Sequence, residues 1–139
     1  MSTQYVLNPP AGSFSVFAWV KGGAPGQVIL SQDKGMDWLL VEPGTGCLMA
    51  GLKSDSRLGR VLRSQTAVTD ADWRRVGLVW DDSNRRLYVD DVLVAEDTQE
   101  GLAACYGGLQ IGCGKDMALG SFWSGLIDDV CIYNRAVQP

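Results

Sequence analysis

The passage Trp73-Arg74-Arg75-Val76-Gly77-Leu78-Val79-Trp80-Asp81, continuing after a polar gap into Leu87-Tyr88-Val89-Asp90-Asp91-Val92-Leu93-Val94, decides the fold. Short apolar runs give way to tight polar turns, the pattern of antiparallel strands. A two-residue turn at Asp90-Asp91 sets Val89 against Val92 and Leu87 against Val94, with these four aliphatic side chains on one face. Tyr88 then falls opposite Leu93 on the other face. A primed turn requires positive φ at Asp91, which aspartate tolerates less well than glycine, so Asp91→Gly is expected to stabilise the chain. Leu109-Gln110-Ile111-Gly112 and the stretch from Gly125 to Ala136 add two further apolar runs.

Upstream, Phe14 to Lys21 alternates. Phe14, Val16, Ala18 and Val20 share one face, and Phe17 and Trp19 the other, so the strand is expected to be covered on both sides. Gly22-Gly23-Ala24-Pro25-Gly26 breaks the chain. Gln27–Gln32 and Trp38–Glu42 pair across the polar loop Asp33 to Asp37, and Pro43-Gly44-Thr45-Gly46 turns into Cys47–Leu52. Arg57–Arg63 reads as a weaker strand, Ser64–Asp72 as an irregular connection, and Gln4–Leu7 as a short first strand. No run of about ten residues has helical periodicity, and Thr98–Ala104 offers one turn at most. About eight to ten short strands at near-regular spacing predict an all-β, two-sheet antiparallel sandwich. At 139 residues the chain reads as one domain, residues 1–139, able to bury ~two-thirds of its unfolded surface.

A net charge of −4 argues against a nucleic-acid partner, which would need a basic face. The arginines at 57, 60, 63, 74, 75, 85 and 86 read as solvated outward positions rather than a binding stripe. The longest uncharged stretch, Tyr5 to Val20, contains Asn8-Pro9-Pro10, so no membrane insertion is expected. No signal peptide is visible, and an extracellular location would follow if the chain is a module of a larger secreted protein. Four cysteines, Cys47, Cys105, Cys113 and Cys131, allow three pairings and show no CxxC spacing. Free thiols are the default, with one disulfide through Cys131 as the alternative in an exported protein. There is no histidine, which disfavours a Cys/His zinc site.

With the strands in place, the chain resembles the laminin-G-like, concanavalin A-like lectin/glucanase jelly-roll sandwiches. The residues carrying the likeness are Phe14 to Lys21, Asp72-Trp73 before Val76, Leu87-Tyr88-Val89-Asp90-Asp91, Ile111-Gly112, and Phe122 through Ala136. The resemblance spans roughly residues 14 to 136, a range read from the motifs themselves. It implies two curved antiparallel sheets and a binding module for glycans or proteins, with calcium at one rim in many relatives. It also implies that Trp19, Trp73 and Trp123 pack inside. The usual N-terminal strand is abbreviated, and Cys131 stands where a charged residue is common.

Glycan-cleaving relatives carry Glu-x-Asp-x-(x)-Glu on one strand, which alternation aims at one sugar. The three glutamates here, Glu42, Glu96 and Glu100, do not form it. Asp128-Asp129 are adjacent and on a regular strand would face opposite ways. No histidine is present to activate a nucleophile, so the chain is not expected to be an enzyme. Trp80 alternates with Val76 and Leu78 and belongs with their core. Trp38 and Tyr106 each border a polar loop where an aromatic ring could stack on a sugar, the plainer alternative being a half-buried loop aromatic. Calcium needs about six to eight oxygens, and strictly up-and-down strands would gather Asp33, Asp37, Asp55, Asp81 and Asp82 at one rim. Asp33, Asp37 and Asp81 are the candidate ligands. Asp70, Asp72, Asp90 and Asp91 would crowd the other rim, and aspartate favours turns for its own reasons.

The expected function is a noncatalytic recognition module for a carbohydrate or a protein surface, acting through rim loops or the concave sheet. The alternative is a structural sandwich that self-associates, as a homodimer for example, through an uncovered edge strand.

Overall fold

The computed structural model describes residues 13–32, 37–51, 61–98, 109–114 and 120–139. The readings at Gln4–Leu7, Asp33, Asp55, Arg57 and Arg60, Glu100, Cys105, Tyr106 and most of Thr98–Ala104 fall outside these residues. Among the described residues there is no helix. The strands are β1 Phe14–Gly22, β2 Val28–Gln32, β3 Asp37–Val41, β4 Cys47–Gly51, β5 Val61–Ala67, β6 Arg74–Trp80, β7 Asn84–Val89, β8 Val92–Thr98, β9 Leu109–Ile111 and β10 Gly125–Tyr133. They form two five-stranded antiparallel sheets, ordered β10-β1-β6-β7-β8 and β5-β4-β3-β2-β9. The all-β sandwich expected from the sequence is the architecture observed.

Period-two alternation explains why the sheets face each other. Phe14, Val16, Ala18 and Val20 of β1 and Val76, Leu78 and Trp80 of β6 turn inward against Ile29, Leu39, Val41, Leu48, Ala50 and Leu62 of the second sheet. Phe14 is the aromatic hinge of this core. Its ring lies edge-on to Trp38 at 5.3 Å and tilted against Trp80 at 5.9 Å.

Several local readings change. Ser64 to Ala67 belongs to β5, not to a loop, and the Ser64 hydroxyl donates to Leu48 O at 2.8 Å. Val89 does pair with Val92 and Tyr88 with Leu93, but a bulge at Val94 sets Leu87 against Ala95. Both Asp90 and Asp91 take positive φ, 52° and 66°, as a primed turn demands. The expected four-residue buried face is only half buried, because β8 is a sheet edge and Val92 stands 61% exposed.

The arginines are mostly paired rather than simply solvated. Arg85 is fully buried and grips Asp97 with two bonds, Nε–Oδ1 at 2.9 Å and Nη2–Oδ2 at 2.5 Å. A guanidinium withdrawn from water needs such a two-pronged partner. Cys47, Cys113 and Cys131 are free thiols.

Candidate functional site

The outer face of the first sheet carries the site. Since Val16, Ala18 and Val20 point inward, Trp19 must point outward, and it is 37% exposed. Trp73 precedes β6, one step beyond the Val20–Arg74 pair and on the same outer parity as Arg75. It is 40% exposed. These two tryptophans, expected to pack inside, instead wall an open cleft of about 340 Å³ that Asp128 and Asp129 line with them among the described residues. Of the tryptophans assigned to the interior, Trp80 is in the core. Trp123 packs partly against it, with its ring over Gly23, where a Cβ would meet the indole at 2.3 Å.

A β-bulge brings the two carboxylates together. Phe17 pairs with Cys131 and Trp19 with Asp128, so two steps along β1 match three along β10. The extra residue is absorbed by Asp129 at φ 48°, a left-handed conformation usually given to glycine. Strict alternation would have sent Asp128 and Asp129 to opposite faces. The bulge overrides it, and both line the cleft. Asp128 Oδ1 accepts the Asp129 backbone N–H at 2.8 Å. Neither carboxylate forms an ion pair with a basic side chain among the described residues.

The cation opposite Trp19 is turned away from it. Arg75 pairs with Trp19 across the sheet, yet its guanidinium lies 4.6 Å from the Phe17 ring centroid and its Nη1 reaches Asp91 Oδ1 at 2.6 Å. Phe17 is held flat by Gly77 beneath it, where a Cβ would stand 2.5 Å from the ring, and by Tyr133 at 6.3 Å. Phe17 is therefore buried although it faces outward.

The other end of this outer face is closed by the C-terminal segment. The Ser15 hydroxyl donates to Arg135 O at 2.7 Å and accepts the Val137 N–H at 2.9 Å. A groove of about 310 Å³ runs there between Val79, Asp81, Arg86 and Tyr88 and the segment Ala136 to Gln138. Its charges are already matched, since Arg86 bonds both Asp81 at 2.9 Å and Glu96 at 2.6 Å.

Of the two aromatics expected to bind ligand, the described one is buried. Trp38 is 1% exposed, with its indole N–H donating to Gln32 Oε1 at 3.2 Å, so it presents no face to a sugar. It is the second residue of β3 and points into the core beside Phe14, where burial of the large ring wins over its loop-border position in sequence. Tyr106 lies outside the described residues.

Of the candidate calcium ligands, Asp33 lies outside the described residues, and the other two have separate surroundings. Asp81 Oδ1 accepts the N–H groups of Ser83 and Asn84 at 3.0 and 2.7 Å, and its Oδ2 binds Arg86. The Asn84 N–H above all, helped by the Ser83 N–H and Arg86, holds the Asp81 carboxyl below the usual carboxylate range against the opposing effect of burial. Asp37 instead adjoins Gly114 and Cys113, whose thiol is pushed up by burial and secondarily by the Asp37 charge. No group of three His, Cys, Asp or Glu side chains converges on a possible metal among the described residues. Glu42, just after β3 of the second sheet, and Glu96, in β8 of the first, are bonded to Arg63 and Arg86 respectively.

A family model described as the concanavalin A-like lectin/glucanases superfamily matches residues 2–139. A search of curated protein sequences finds no match. Among solved structures, the Ruminococcus gnavus IT-sialidase CBM40 superposes with a TM-score of 0.70 at 15% identity, over 91% of this chain and 78% of that one. The same CBM40 has been solved bound to alpha2,3 sialyllactose. The binding domain of Paraclostridial Mosquitocidal Protein 1 gives 0.69 at 10% identity, over 91% of this chain and 34% of that one. This chain thus spans about a third of that binding domain's length. The heptameric SAP-like pentraxin of Limulus polyphemus gives 0.58 at 16% identity, over 96% and 70%. At these identities the likeness concerns the fold.

Proposed function

We propose, for a chain that belongs to the concanavalin A-like lectin/glucanases superfamily, a noncatalytic recognition module that binds a glycan in the Trp19–Trp73 cleft. The observation that carries this reading is the pair of large aromatic rings left in solvent on a sheet face whose other end is sealed. Exposed indoles give up apolar surface to water and recover it against the C–H face of a pyranose, while Asp128 and Asp129 accept hydroxyl hydrogen bonds at the rim. The glutamates of the described residues, one following β3 and one within β8, are each bound to an arginine and supply no acid–nucleophile couple.

A glycan array probed with and without calcium tests the reading. Binding is expected to survive chelation, and Trp19→Ala and Trp73→Ala are each expected to weaken it about tenfold. Tyr106→Ala belongs in the same series as the remaining loop aromatic. Silence across the array, or binding untouched by both tryptophan substitutions, would overturn it.

One observation favours self-association as the second reading. The edge strand β8 leaves Val92 and Leu93 exposed beside unpaired backbone. Light scattering at high concentration decides it, a monodisperse monomer removing the idea.

A further inference from the structure

We propose that the Trp19–Trp73 cleft selects glycans bearing a protonated amine over neutral or anionic ones, an inference that rests on reading this cleft as a glycan site. The cleft combines two features that each attract a cation. Indole faces present the negative side of their quadrupole to an ammonium group lying over them. Beside them stand Asp128 and Asp129, adjacent in sequence but turned to one side by the bulge, and neither is neutralised by a basic side chain of the described residues.

The surrounding cations are held off or lie at the margin. Arg75 is fixed over Phe17 and tied to Asp91. Arg74 is bonded to Asp70 and Asp90. Lys21 shares the outer face two pairs beyond Trp19–Asp128, opposite Leu126, but does not line the cleft and is in no ion pair with a described carboxylate. Among the described residues, the cleft lining therefore holds two carboxylates and no basic side chain, on a chain whose net charge is already −4. A sialylated or sulfated sugar would meet like charge there. An amino sugar would replace the missing counter-ion, its ring stacked on the indoles and its ammonium between the carboxylates.

The test compares glucosamine oligomers, N-acetylglucosamine oligomers of equal length and a sialylated trisaccharide by calorimetry at pH 6. The free amine is expected to bind about tenfold tighter than its acetylated form, with the difference shrinking in high salt and as pH rises through the amine's own pKa. Asp128→Asn and Asp129→Asn keep size, and asparagine tolerates the left-handed backbone at 129, so both variants fold. Each is expected to weaken the amine's binding more than the acetylated oligomer's, so that the preference shrinks. Asp82→Asn changes net charge equally at a site away from the cleft and is expected to keep the preference. Trp19→Ala is expected to weaken both oligomers, the amine by the larger factor, because stacking and the cation–π attraction are lost together. Equal binding of amine and acetamide, tighter binding of the sialylated sugar, or loss of the preference in Asp82→Asn would overturn the inference while leaving the glycan site standing. If no saccharide binds, the glycan reading falls and this inference with it.

Discussion

Gly77→Ala probes the layer that holds the site in shape. Gly77 pairs with Phe17 across β1 and β6, and a Cβ there would sit 2.5 and 2.6 Å from two ring carbons. Carbon atoms pack at ~3.5–4.0 Å, so the ring must lift by about 1 Å. Its escape is obstructed by the Arg75 guanidinium at 4.6 Å from the ring centroid and by Tyr133 at 6.3 Å. Overpacking of this kind costs about 1–3 kcal/mol, and relief of glycine's backbone entropy in a strand returns about 0.5–1 kcal/mol. The clash wins, leaving a net loss of about 0.5–2 kcal/mol. For a chain of this size that corresponds to a fall in Tm of about 2–8 °C. Calorimetry or urea unfolding with an unchanged m-value would read it. In a Phe17→Leu background the same substitution is expected to cost much less, because the clashing ring is gone. A Gly77→Ala protein at least as stable as the parent would refute the packing of this outer layer.

The gain expected for Asp91→Gly from sequence is offset by the Arg75–Asp91 ion pair. Relief of the left-handed residue gains about 1 kcal/mol, while the exposed Arg75 contact and glycine's unfolded-state entropy together remove a similar amount. The urea midpoint is predicted to stay nearly unmoved, and Asp90→Gly to fall below it, since Asp90 accepts from both the Arg74 side chain and the Arg75 backbone. A clear rise for Asp91→Gly would show that the Arg75–Asp91 bond contributes nothing. The depressed pKa of Asp81 gives a pH dependence. Its stabilisation is complete above the unfolded carboxylate pKa of about 3.9 and is lost as pH falls through the lower folded value. Asp81→Asn is predicted to flatten the stability profile below about pH 4, as followed by fluorescence, and an unchanged acid limb would refute it.

Much of the fold was legible because the inward positions are strictly alternating. Phe14, Val16, Ala18 and Val20, then Val76, Leu78 and Trp80, are unambiguous by period alone. That alternation, pressed further, also places Trp19 outside, and the neighbours sharing its face, Lys21 and Arg75, are charged. Reading Trp19 and Trp73 by their likeness to relatives rather than by parity concealed the cleft. Trp38 went the other way, because a polar loop beside it in sequence says nothing of where its ring points once β3 docks on Phe14. The pairing of Asp128 with Asp129 was not legible, since a bulge shows in neither composition nor alternation. It arises from the register of β10 against β1, a contact between residues more than a hundred positions apart. The burial of Arg85 likewise depends on Asp97 arriving from β8.

The five tryptophans allow the central claim to be read directly, because each indole N–H gives its own signal in a nitrogen-correlated NMR spectrum. On titration with glucosamine and N-acetylglucosamine oligomers, the signals of Trp19 and Trp73 are predicted to move together and saturate at one affinity. Those of Trp38 and Trp80, sealed in the core, are predicted to stay in place. Movement of Trp38 with Trp19 and Trp73 unmoved would contradict the assignment of the ligand to the outer face of the first sheet.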